Sequence, residues 1–109
     1  MICTLTARRL RPESYDAFRA AWDPLSTGDE LRQWTRIYHA REVTDPDVVI
    51  SFGLFDGSLS ELHAAQEEMG RRAQVDRIDA HVEAVLLDGS FEIVEEIAHA
   101  PIGGEPGLG

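Results

Sequence analysis

Trp34, Arg36 and Tyr38 hold the densest chemistry in this 109-residue chain. They alternate along a short run, so on a strand they share one face. Two aromatic rings with a guanidinium can hold a flat, partly anionic ligand by stacking and cation–π contact. The same residue types are enriched where two protein surfaces meet, so a dimer interface is an equal reading. His63 is the second candidate, because an imidazole in a pocket can accept or donate a proton near neutral pH. Its bland alternative is a half-exposed histidine on a helix surface. The working assignment makes His63 and Tyr38 the catalytic pair, with Trp34, Arg36 and Phe55 binding substrate. His39 neighbours Tyr38, but alternation sends it to the opposite face, so the two do not line one site on that strand.

Other chemistries find less support. The four histidines, at 39, 63, 81 and 99, are widely spaced, with none at helical i, i+4 spacing, so no metal is expected. The single Cys3 excludes an internal disulfide and a cysteine-based metal site, and is expected to be a buried, inert thiol. No glycine-rich loop follows a strand, and Ser51, Ser58, Ser60 and Ser90 lack the context of a nucleophile elbow. Glu67, Glu68, Glu92, Glu95 and Glu96 read as solvated surface. The formal net charge of -10 repels phosphate backbones and anionic lipid headgroups, so neither nucleic acid nor membrane is an expected partner. No stretch approaches the ~20 apolar residues of a membrane span. No signal-type start is evident, and the expected location is cytoplasmic.

The elements that must position these residues follow from the hydrophobic periods. Ile2–Ala7 alternates as a strand. Pro12 suits the first turn of a helix running to Trp22, whose Tyr15, Phe18 and Trp22 share a face. Asp23-Pro24 ends it, and residues 26–29 read as loop. Two adjacent strands follow, Gln33–Val43 and Val48–Phe55, joined by a turn at 44–47 and expected to pair antiparallel. The second is almost continuously apolar, which predicts a central strand covered on both sides. Ser58 with Glu61 forms a capping box for a helical stretch to Ala80, interrupted by Gly70 as a cap. In its second part Val75 and Ile78 point inward, and Arg71, Arg72, Asp76, Arg77 and Asp79 outward. A last strand region spans 81–97, with Asp88-Gly89 as a bulge or a turn into an extra edge strand. This is β-α-β-β-α-β, a ferredoxin-like α+β domain with an antiparallel sheet, over residues 1–97. Residues 98–109, rich in Gly and Pro, are expected to be a flexible tail. One sheet face takes the helices, and the other needs a cover.

The order of elements, together with the run VVISFGLFDGSLSELHAA from Val48 to Ala65, resembles the antibiotic-biosynthesis-monooxygenase-like domains of the dimeric α+β barrel superfamily. The resemblance implies a homodimer packed sheet against sheet, with a ligand pocket in each subunit between sheet and helices. It implies a cofactor-independent monooxygenase acting on a small aromatic or quinol-type substrate. It equally admits a non-catalytic dimeric domain that binds a small ligand or only assembles, and, third, a haem-binding or haem-degrading relative. Several catalytic members place an Asn in the pocket, and this chain contains none. The spacing of His63 from Phe55 does not match the haem-ligand position of the haem-degrading members.

Overall fold

The computed structural model describes residues 1–23 and 32–99. The loop expected at 26–29 and the tail from residue 100 onward lie outside the described residues. Seven elements follow in order: β1 (Ile2–Leu10), α1 (Tyr15–Trp22), β2 (Trp34–Arg41), β3 (Val48–Phe55), α2 (Leu59–Glu68), α3 (Arg71–Asp79) and β4 (Val82–Glu92). The strands form one antiparallel sheet in the order β2-β3-β1-β4. This is the ferredoxin-like α+β arrangement the periods predicted. No helix among the described residues is long and apolar enough to cross a membrane.

All three helices pack on one face of the sheet, over large apolar side chains at its two ends. At one end Ile2 and Phe55 meet Leu62 and Ala65 of α2. At the other, Leu10 and Val49 meet Phe18 of α1 and Ile78 of α3. Burying an aliphatic or aromatic side chain of this size contributes roughly 1.5–3 kcal/mol, so these two clusters hold the helices down. α2 starts on the expected capping box: Ser58 Oγ accepts from the Glu61 N–H, and the Glu61 carboxylate accepts from the Ser58 N–H. Gly70, at φ 75°, makes the left-handed step that separates α2 from α3.

Several boundaries and orientations differ from the sequence expectation. β1 continues to Leu10, because Arg8 and Leu10 keep the inward alternation of Ile2, Thr4 and Thr6. β4 runs straight through Asp88 and Gly89, which pair with Thr6 and Leu5. Its irregularities lie instead opposite Ala7–Leu10, near Val82–Leu87. β3 is central, yet its outer residues Ile50, Phe52 and Leu54 stay half-buried, since no element among the described residues covers that face. Cys3 lies on the same open face, half-buried, with its thiol pKa raised by what burial it has. Arg71 does not point outward. The turn at Gly70 aligns Arg71, Gln74, Val75 and Ile78 at i, i+3, i+4 and i+7, and this stripe faces the sheet.

A candidate ligand cavity between sheet and helices

Between the two apolar clusters the inward face of the sheet changes character. Reading along β1, the inward residues are Ile2, Thr4, Thr6, Arg8 and Leu10; along β3 they are Phe55, Gly53, Ser51 and Val49. The ends are apolar and the middle is small and polar. Short side chains there cannot reach the helices, and a cavity of about 580 Å³ remains. Thr4, Thr6, Ser51 and Gly53 form its floor, with Asp88 and Ser90 of β4 beside them. Gln66, Met69, Arg71, Gln74 and Val75 form the roof, and Trp22 and Trp34 the aromatic walls. The volume falls in the ordinary range for small-molecule sites, and apolar walls with a few polar groups are their usual lining.

The electrostatics are set by two arginines. Arg8 is 3% exposed, and its Nη1 has no hydrogen-bond partner among the described residues. Its guanidinium lies 5.5 Å from the centre of the Phe18 ring. Burial, reinforced by the like charge of Arg71, lowers its pKa to about 10, with Asp88 and Asp79 opposing the shift. The Arg71 pKa is also lowered, chiefly by burial. Arg71 Nη1 donates to Gln74 Oε1 at 2.7 Å, and the buried Gln74 amide donates to the Trp22 carbonyl. Thr6 Oγ1 donates to Asp88 Oδ1 at 3.0 Å. A buried cation that lacks a direct ion pair is costly to the fold. It is well suited to an anion that arrives from outside.

The residues singled out in the sequence are divided by the structure. A bulge at the start of β2 is the reason: Trp34 pairs with Phe55, but Arg36, not Thr35, pairs with Leu54. The extra residue flips Trp34 onto the helix face, where Ile37 and His39 also lie. Trp34 therefore lines the cavity, while Arg36 and Tyr38 occupy the open face. The face expected to be common to all three does not exist. There Tyr38 stacks on Phe52 at 4.9 Å, and Arg36 Nη1 donates to the Tyr38 oxygen at 3.4 Å. Phe55 is fully buried in the core and meets the Trp34 ring edge to face at 5.1 Å, so it supports the wall from behind. His63 is exposed on α2, beside a shallow depression with Glu67 and Arg72, and does not line the cavity. Among the described residues no three His, Cys, Asp or Glu side chains converge as a metal-binding set.

Sequence reasoning passed over Arg8, Arg71, Ser51, Asp88 and Trp22. One signal was available for Arg8. It sits on the alternation that ends in Leu10, a pattern that places a guanidinium on a buried face.

An antiparallel α+β sheet carrying its helices on one face defines the structural class. Solved structures similar to this chain share that class. A candidate antibiotic biosynthesis monooxygenase from Deinococcus radiodurans superposes with a TM-score of 0.69 at 14% identity, covering 91% of this chain and 98% of that one. One from Chloroflexus aurantiacus gives 0.66 at 15% identity, covering 89% and 96%. An uncharacterised NIPSNAP domain protein from Burkholderia xenovorans gives 0.61 at 13% identity, covering 91% and 100%. No family model matches the sequence, and no curated protein does. The chain thus has the fold of the antibiotic-biosynthesis-monooxygenase-like domains.

Proposed function

We propose that the cavity binds a small aromatic or quinol-type molecule as its oxyanion and supports cofactor-independent monooxygenation of it. The supporting observation is the buried Arg8 guanidinium, with Arg71 nearby, facing a cavity walled by Trp22 and Trp34. Flat rings suit the indole walls, and two cations stabilise the negative charge of a deprotonated hydroxyl in a water-poor space. Such an anion is electron-rich. For a hydroxyarene with a free para C–H, one oxygen atom of O2 enters the ring and the other leaves as water, giving a quinone. The substrate supplies all the electrons, so no cofactor enters the balance.

Aerobic incubation with 1-naphthol, followed by oxygen uptake and absorbance, tests this reading. One O2 consumed per quinone formed is expected, and loss of that activity in Arg8→Met. Binding without oxygen uptake would leave the second reading, a domain that holds such an anion without transforming it. That reading draws support from the absence of His63 and Tyr38 from the cavity wall.

A homodimer closed over the open sheet face belongs to the same proposal. That face carries Leu5, Ile50, Phe52, Leu54, Leu87 and Phe91, a contiguous apolar surface of the kind that marks an interface.

A further inference from the structure

One rung of the sheet is polar from edge to edge. Asp88 of β4, Thr6 of β1, Ser51 of β3 and His39 of β2 are successive partners across the four strands. Thr6 is bonded to Asp88, and His39 Nδ1 to Ser51 Oγ at 2.7 Å. The His39 ring is held edge-on by Phe18 and Trp22, at 5.8 and 4.7 Å between centroids. Its Nε2 is buried with no partner among the described residues. Ser51 lines the cavity floor, and His39 stands behind it. The serine thus joins a fixed imidazole to the space a ligand would fill.

We propose that Ser51 and His39 form a proton relay that ionises a hydroxyl-bearing ligand inside the cavity. This rests on the oxyanion reading of the cavity given above. The relay uses the imidazole tautomer protonated at Nε2, with Ser51 Oγ donating to Nδ1. The ligand O–H bond breaks and its proton passes to Ser51 Oγ. The proton already on Ser51 passes to His39 Nδ1. The products are a ligand oxyanion, a neutral serine and an imidazolium, and no electrons change hands. Ser51 is the residue that touches the ligand, and His39 acts through it.

The surroundings set the balance. Arg8 of β1 and Arg19 of α1 disfavour the imidazolium, and Asp23 at the end of α1 favours it. Burial adds to the first effect and is the largest single cause. An empty cavity therefore keeps the ring neutral and able to accept. A bound oxyanion supplies the missing negative charge beside Arg8, and the transfer becomes favourable only when the ligand is present. Solvent-exposed His63 has no such arrangement.

The test uses two probes, benzoate and 4-nitrophenol. Benzoate is already an anion and reports only on the arginine site. 4-Nitrophenol reports its own ionisation by absorbance, so a pH titration of the bound probe reads the relay. In the intact protein the bound phenol should be ionised at lower pH than the free phenol. Ser51→Ala should raise that midpoint by about one pH unit or more, a tenfold change in the ionisation equilibrium, while benzoate, held by Arg8 and Arg71, still binds. His39→Gln should act the same way, and Ser51→Ala guards against a folding defect in that variant, since it leaves the imidazole packed. Equal midpoints in the intact protein and Ser51→Ala, with benzoate still bound, overturn the relay alone. Failure of benzoate to bind the intact protein overturns the oxyanion site and the relay with it.

Discussion

The indole of Trp34 lies over Gly53 of the neighbouring strand so closely that a methyl group there would come within 2.9 Å of Cζ3 and 3.0 Å of Cε3. The glycine is the reason a tryptophan can lie flat against the sheet at this point and serve as a cavity wall. Phe55, 5.1 Å away and edge to face, blocks retreat in one direction. Gly53→Ala therefore forces the ring to move, and rigid rings move at a cost. We expect a loss of about 1–3 kcal/mol in unfolding free energy, the usual cost of overpacking. Chemical denaturation measures it, and intrinsic fluorescence reports the displaced indole. A variant as stable as the parent would mean that Trp34 has room the packing does not show.

Arg8 combines a stability cost with the anion-binding role proposed for it. Its cationic form is disfavoured in the fold, so the penalty persists at every pH below about 10 and eases only as pH rises beyond that toward the ordinary arginine range. Arg8→Met removes the buried charge and keeps the length of the side chain. Stability should be unchanged or raised, by up to about 1–4 kcal/mol, less whatever the contact with Phe18 contributes. Benzoate affinity should fall by about tenfold or more, or ~1.4 kcal/mol. Thermal unfolding and calorimetric titration of the same preparation measure both. A less stable variant with full affinity would reverse the role given to Arg8.

The order of elements was legible because each strand and helix has its own hydrophobic period, and the Ser58–Glu61 cap marks a boundary locally. The site was less legible for a specific reason. Alternation assigns faces only along an unbroken strand, and one extra residue near Thr35 inverts the assignment on one side of it. Trp34 thus parted from Arg36 and Tyr38 without any change in composition to announce it. Arg71 was misread in the same way, since Gly70 resets the helical phase just before it. A further trap lay in β1. Its more apolar stripe, Cys3, Leu5 and Ala7, faces outward in the single chain, and its polar stripe lines the cavity. Apolar-inward reasoning fails where the inner face lines a cavity and the outer face is left open.

His39 makes the fold sensitive to acid. Burial lowers its pKa below the ordinary 6.5, with Arg19 and Arg8 adding to the shift. The neutral ring fits the fold, and the charged ring does not. Stability is therefore whole above about pH 6.5 and declines as pH falls through and below that value, where the unfolded chain takes up the proton more readily. His39→Gln should show a flatter dependence between about pH 7 and about pH 5. Urea denaturation midpoints across that window measure the difference. Parallel curves for the two proteins would place the acid sensitivity elsewhere.

The open face of the sheet should close on a second copy of the chain. Leu87 and Phe91, half-exposed at 50% and 45%, stand on edge strand β4, beside Leu5 and Cys3 of β1. Because they are already accessible in the single chain, replacing them disturbs little of its own core. Leu87→Arg combined with Phe91→Arg should therefore fold normally by circular dichroism. In a dimer, those two positions would carry buried guanidinium groups without counter-charges, a cost of several kcal/mol per ion. Sedimentation velocity should find the parent as a dimer and the double variant as a monomer. Monomeric parent protein at high concentration, or a variant that still dimerises, would remove this face as the contact. The cavity lies on the helix side, so the double variant should also keep its benzoate affinity, which separates loss of assembly from loss of the site.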